Sequence, residues 1–497
     1  MRNLKLTFCA LFIFLTTSVR SQKPVIETGE TVTLDKKDYA VFSSYSDAAV
    51  YMVKVEKEKR DRYATLYAYS RQDLKQVFSF PVVIPPVDAE AFRIHSLDFY
   101  NGKLNLFYSY YNVKDKMNRL LLTTYDQSGK PIDSGKEILK SNADKENKTG
   151  YFITQFNKET GNTVCMHFID KTVAGENLVT PDVQIAMISA AGEIKYQKKL
   201  KLSDDDHFEL AAITSDKQGN AFIAIYPYIM QVYKKPNRLF VFDAATQEVT
   251  NHDMVKSRIT GKEKLVRRGI FSIDKNNNVF YFDQYSPNLN GDAIGIYAAK
   301  YNSQTKTLKS SFIAFNEPEP DEAVKKSGNY KLINYNFREI KIFDDNSLCL
   351  YLEKAFTLDD GYRNSSNYMQ AIINTDLTSL KQQYFGKEVA FFNQEAGFTR
   401  TIPINQNGFS CVLFNSDLKE NKDGKIITKP TAKKDNLKGC YAVFPKVGEA
   451  QIIKLSNELS SQTFLFFADS YIKTDKDEVF SLCEVGGQFK VCKIYLK

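Results

Sequence analysis

Few residues in this chain could do chemistry directly. Its 497 residues include only four histidines and no tryptophan. His207 follows Asp204-Asp205-Asp206. A histidine titrating near neutral pH beside carboxylates can ligate a metal or work as an acid–base pair, but the same run also reads as solvated charge in a loop. His95 and His167 lie in apolar stretches, where a hydrogen-bonded packing role is expected, and His252 precedes Asp253 in a fourth strand or at its edge. Calcium needs oxygen ligands at alternate positions, and three segments approach that pattern. Asp417 to Gly424 puts Lys419 at a ligand position and has no bidentate glutamate at the right distance. Asn288, Asn290 and Asp292 carry little charge, and Asp274, Asn276 and Asn278 coincide with a recurrent turn in which Asx side chains bond the backbone. No cofactor is expected, with calcium the one ion left open. There is no H-E-x-x-H, G-x-S-x-G, P-loop or C-x-x-C.

The richer set is aromatic. Tyr226, Tyr228, Tyr233, Tyr285 and Tyr362, with Asp359, Asp360 and Arg363, fall in long irregular segments. Rings with polar tips suit recognition of sugars, peptides or protein surfaces; packing of the loops against the body is the competing use of each ring. These eight residues are the candidate ligand-binding set. They point to a non-enzymatic binding or scaffold protein whose partner is a protein, peptide or glycan. The alternative is a secreted polysaccharide hydrolase or lyase, with acidic residues converging from separate parts of the chain.

A repeated unit must position these loops. Asn101-Gly102, Gly161-Asn162, Asp216 to Asn220, Asp274 to Asn278, Asp344 to Ser347, Asn405 to Gly408 and Asp475 to Glu478 are polar turns, each opening into an apolar strand. A second ladder keeps step with them: Arg71 to Asp73, Asp126 to Gly129, Ser189 to Gly192, Asp243 to Thr246, Asn302 to Thr305, Asn374 to Leu377 and Pro445 to Gly448. Spacing on this scale marks a propeller or solenoid. Each repeat resolves into four short strands with period-two alternation. In one, Phe92 to Phe99 and Leu104 to Tyr111 flank a turn, and Arg119 to Tyr125 and a strand ending near Leu139 follow.

Antiparallel four-stranded units repeated radially are propeller blades. The fold expected is all-β, one β-propeller over residues 22–497, with eight blades or, on the alternative count, seven. The last repeat lacks a fourth strand, and Thr31 to Leu34 is expected to supply it, removing two exposed edges. The segments 226–237, 284–293, 355–367 and 416–438 would each join the second strand of a blade to the third. All would then emerge on one face, opposite the short turns. Loops on a rigid scaffold are where function usually sits.

Residues 1–21 read as a secretory signal. Arg2 and Lys5 precede a short apolar core from Leu6 to Leu15, and Val19-Arg20-Ser21 offers a cleavage site before Gln22. A soluble secreted or periplasmic monomer is expected, with no transmembrane segment after cleavage. The formal charge is +8, and no basic run is long enough for a nucleic-acid stripe. Cys165, Cys349, Cys411 and Cys483 share one strand position and read as small buried hydrophobes. Cys411 with Cys440, and Cys483 with Cys492, are the pairs close enough in the scheme to bridge.

The Asp-x-x-Gly-Asn turn at Asp216 to Asn220, with its looser copies, resembles the blade turn of secreted bacterial propellers of the NHL and TolB-like kinds. The Lys-, Asn- and Tyr-rich composition and the Ser-Gln junction after the leader resemble exported proteins of the Bacteroidetes. This likeness implies architecture and compartment, and no activity, because propellers host many functions.

Overall fold

Among the described residues, alternating aromatic and β-branched side chains build 32 strands, grouped in eight four-stranded antiparallel sheets. The computed structural model describes residues 24–35, 38–58, 61–82, 89–142, 150–168, 183–200, 208–227, 237–254, 264–286, 293–316, 330–343, 347–358, 363–391, 402–406, 409–416, 439–444, 451–455 and 464–497. The leader therefore lies outside the described residues. So do His207 and its aspartates, and the calcium-like segments 417–424 and 288–292.

Seven sheets take consecutive strands, in blades spanning 39–81, 89–142, 151–200, 208–253, 264–314, 330–391 and 402–455. Blade eight is assembled from both ends of the chain, in the order Pro24–Thr31, Gln488–Leu496, Val479–Val485, Phe464–Lys473. The first strands lie innermost. That of blade one, Tyr39–Tyr45, touches the first strands of blades two and eight, so the ring closes. Hydrophobic clusters form between adjacent blades: Phe222 and Tyr226 of blade four pack with Tyr281 and Tyr297 of blade five.

The N-terminal strand does complete blade eight, but it lies upstream of the segment expected. Pro24 pairs with Leu496 and Thr31 with Lys490. Val32 keeps one further bond, its N–H donating to Phe489 O at 2.8 Å. The Val32 and Leu34 side chains then leave the ladder and pack with Leu74, Phe480 and Val491 between blades eight and one. Their alternation, read as a strand, belongs to a seam.

The described turns of the two ladders form as expected, while 344–346, 407–408 and 445–448 lie outside the described residues. In blade four, Asp216 Oδ1 accepts the Gln218 and Asn220 amides while Gly219 takes a φ of 86°. Asn277 holds the matching left-handed position in blade five, and its Nδ2 donates to Asp216 Oδ2 at 3.0 Å, locking one turn to the next. Asp274 is likewise occupied, accepting the Asn278 amide and side chain at 2.8 and 2.7 Å.

Second strands are the most buried; Val279–Ser286 is buried throughout. Cys165, Cys349, Cys411 and Cys483 are fully buried and unbridged on these strands. The two disulfides considered from the sequence are not formed. Cys483 stands opposite Lys490 while Cys492 stands opposite Ser481, and Cys440 stands opposite Asn415, so neither pair is in register.

Candidate functional site

Each of the four long connections joins a second strand to a third: Ala221–Pro227 to Arg238–Phe242, Val279–Ser286 to Gly295–Asn302, Leu348–Leu358 to Arg363–Ile373, and Phe409–Ser416 to Gly439–Phe444. All blades run the same way around the axis, so these strand ends share one end of the ring and the Asx turns share the other.

Two of the eight candidate residues are described with their side chains, and both are buried at the roots of the loops. Tyr226 is 3% exposed. Its hydroxyl donates to Asp283 Oδ2 across the blade four–five seam. Tyr285 is fully buried, edge-on to Phe312 with ring centroids 5.0 Å apart. Arg363 opens a strand at the mouth of its loop, pairing with Thr357 and Phe391. Tyr228, Tyr233, Asp359, Asp360 and Tyr362 lie outside the described residues.

One feature escaped the sequence reading. Toward the loop end of every second strand, a polar residue interrupts the apolar run: Lys54, Ser109, His167, Tyr226, Gln284, Glu353, Asn415 and Glu484. All but Glu484 are buried. Burying a polar group is costly unless it is hydrogen-bonded, and the partners are specific. Gln284 Oε1 accepts the Tyr335 amide of blade six at 2.6 Å. Asn415 clamps the Phe466 peptide of blade eight, donating to its carbonyl at 2.7 Å and accepting its amide at 3.1 Å. His167 Nε2 meets Ser141 Oγ of blade two at 3.1 Å.

Six of the eight inner strands also carry a bulge, skipping Ser43, His95, Ala211, Arg267–Gly269, Arg338 and Phe467–Ser470. Bulged side chains can be re-aimed, and two of these turn back onto the second strand. His95 Nε2 lies 2.8 Å from Ser109 Oγ, and Arg338 Nε donates to Glu353 Oε2 at 2.7 Å. Gly269 is required where it stands, because a Cβ there would overlap the Tyr281 ring.

Burial tunes several of these groups. It raises the Asp283 carboxyl to about 7, against the downward pull of the Tyr226 and Tyr281 hydroxyls and the Gln284 amide. It raises Asp98 to about 7 as well, against hydrogen bonds from Thr163 and Ser96. It pushes His95 down to about 4, helped by the charge of Arg93. His95 is therefore neutral at physiological pH and suited to the packing role expected of it. Burial also lowers the pKa of His252, which sits edge-on to Tyr301. Among the described residues no group of three His, Cys, Asp or Glu side chains is placed to hold a metal, and no helix is long and apolar enough to cross a membrane.

At the short-turn end the channel mouth is asymmetric. On one side, ion pairs bridge blade six to blade eight, Lys341 to Asp477 and Lys473 to Glu339, each at 2.9 Å, and Lys473 also meets Asp477 of its own blade at 3.1 Å. On the other, blades three to five leave a cavity of about 200 Å³, lined by Asn157, Lys158, Thr214, Ser215, Phe271 and Ser272 among others.

No family model matches this chain, and no curated protein matches it. Among solved structures it is similar to the polysaccharide lyase Uly1, at 10% identity and TM-score 0.43, over 94% of this chain and 99% of that one. It is similar to the β-propeller domain of the Trilobed protease from Pyrococcus furiosus, at 10% and 0.38, over 86% and 99%. It is also similar to the WD40 domain of SCAP from fission yeast, at 11% and 0.42, over 95% and 98%.

Proposed function

We propose that this chain is a non-enzymatic binding or scaffold propeller, acting outside the cytoplasm, that recognises a protein, peptide or glycan through its long-loop face. The observation that carries this reading is topological: four long connections, far apart in sequence, all leave the same end of a closed ring. The interior chemistry agrees with a scaffold. His95, His167, Asp98, Asp283 and Glu353 are engaged within or between blades. Tyr226 and Tyr285 anchor the loop roots, leaving recognition to the residues beyond them. The leader-like composition of residues 1–21 supports work in the periplasm or the exterior.

The test is a panel of envelope glycans and exported proteins presented to the full mature chain. Tyr228→Ala and Tyr362→Ala should weaken the captured ligand with little effect on folding. Lys130→Ala, on an exposed turn of the opposite face, should leave it bound. Capture lost only in Lys130→Ala, or unmoved by the tyrosine changes, refutes the reading. Release of shortened or unsaturated sugars from the glycan arm would establish the hydrolase or lyase instead; such an enzyme would bring two carboxylates together at the loop end of the channel.

A further inference from the structure

The cavity at the short-turn mouth lies at the opposite end of the ring from the long loops, so it is separate from the site proposed above. Its charges are unevenly matched. Lys217 Nζ pairs with Glu159 at 2.6 Å, and Arg71 pairs with Glu478 at 2.7 Å. Among the described residues Lys158 has no salt-bridge partner. It is exposed as a residue, yet its ammonium nitrogen lies 4.0 Å above the Tyr45 ring of blade one. The same ring carries the Arg71 guanidinium 5.6 Å from its centroid. Loss of water pulls the Lys158 pKa down, and only the charge of Asp475 opposes this. A cation held against a ring, already partly stripped of water and without a carboxylate partner, gains most from a bound anion.

A second observation points the same way. Ser215, 1% exposed, lines the cavity, and its buried hydroxyl has no hydrogen-bond partner. Buried hydroxyls are ordinarily paired. Thr214 and Ser272 add hydroxyls to the wall, and Phe156, Phe271 and Ile273 make the rest apolar. The cavity offers one uncompensated cation, and Glu159 at its rim would repel a second negative charge. A cavity of roughly 150 Å³ can take a benzene ring, so about 200 Å³ has room for a ring-sized body with a charged group attached.

We propose that the short-turn mouth of the channel is a second binding site, which takes a single carboxylate carried on a small, partly apolar body, with Lys158 as the cation that receives it and Ser215 as an accessory donor. The carboxylate could belong to a free organic acid or to the C-terminus of a peptide.

Titration calorimetry on the full mature chain tests this with benzoate and benzamide, which share a shape and differ in charge. Benzoate should bind and benzamide should bind at least about tenfold more weakly, as expected for the loss of a charge-assisted contact. Lys158→Met should weaken benzoate by about the same factor, while Lys158→Arg, which keeps the charge, should stay close to the native chain. Ser215→Ala should weaken it less. Lys309→Ala, in a separate groove between blades five and six, should change nothing. A short peptide ending in phenylalanine, as free acid and as amide, separates the two sources. Tighter binding of the free-acid peptide than of benzoate indicates a chain end, and benzoate alone indicates a free acid. Equal binding of benzoate and benzamide, benzoate binding indifferent to Lys158→Met in a variant whose near-UV dichroism is native, or no benzoate binding at millimolar concentration, would each overturn the proposal.

Discussion

Replacing Asp283 with asparagine should stabilise this protein at alkaline pH and leave it nearly unchanged in acid. The carboxyl is fully buried at the blade four–five seam. Oδ2 accepts the Tyr226 and Tyr281 hydroxyls and Oδ1 accepts the Gln284 amide at 2.7 Å. Its pKa rises from 3.8 to about 7 because burial disfavours the charged form. The sign follows from linkage. Below about pH 4 the carboxyl is protonated in both folded and unfolded chains, and the shift has no effect. Between about 4 and 7 the unfolded chain releases its proton while the folded chain keeps it, so stability falls as pH rises. Above about 7 both forms are ionised and the penalty is complete. A shift of about three units at 1.36 kcal/mol each amounts to about 4 kcal/mol. An asparagine has no charge to bury, and its Nδ2 can donate to the phenol oxygens while Oδ1 still accepts the Gln284 amide. Urea unfolding of both chains at pH 4.5 and pH 8 reads the difference. Asp98 titrates in both chains, so it cancels in the comparison. An Asp283→Asn advantage that does not grow between the two pH values, or a variant less stable at pH 8, would refute the assignment of a buried, reluctantly ionised carboxyl.

Two further perturbations probe the frame. Deleting residues 24–34 from the mature chain removes the outer strand of blade eight and the buried Val32. Even with the freed segment's entropy set against this, a net loss of several kcal/mol is expected, and a urea midpoint equal to the native one would show that closure contributes nothing. Arg338→Met takes away a partner of Glu353, whose side chain is 1% exposed. Breaking such a buried pair costs about 3–5 kcal/mol. Adding Glu353→Gln should recover part of it, and a double variant no better than the single one argues against the charge as the cause.

The repeat was legible because each turn carries its own instruction locally. An Asx or Gly residue at the left-handed position of Asp216–Asn220 and Asp274–Asn278 is sufficient to fix the bend. Strand limits followed: Phe92 to Phe99 lies inside the observed Ala89–Tyr100. The N-terminal strand was misplaced because alternation cannot say whether Val32 and Leu34 face a sheet partner or a neighbouring blade. The bulges at His95 and Arg338 were invisible for a related reason, since a slipped register is a property of two strands together. Gln284 and Glu353 did leave a signal, as polar residues inside runs of buried apolar ones. Their partners, Tyr335 and Arg338, are set by packing that the local sequence does not encode. At the candidate sites, the loops were found by length alone. The channel mouth was missed because Lys158 acts on Tyr45, which stands two blades away.

The eight polar residues of the second strands are of seven types, glutamate alone recurring, and this bears on how the ring assembles. Repeats of similar shape can dock in the wrong order, or exchange between two chains as they fold. A seam sealed by hydrophobic contact alone would tolerate such errors. Here three junctions are keyed: the Gln284 side-chain carbonyl expects the Tyr335 N–H, Asn415 expects both the N–H and the carbonyl of Phe466, and Asp283 expects the Tyr226 phenol. A blade inserted out of sequence would bury an amide, a histidine or a carboxylate against a neighbour with nothing to offer it. At these seams the polar residues thus act as addresses, which disfavour blades of similar shape docking in another order.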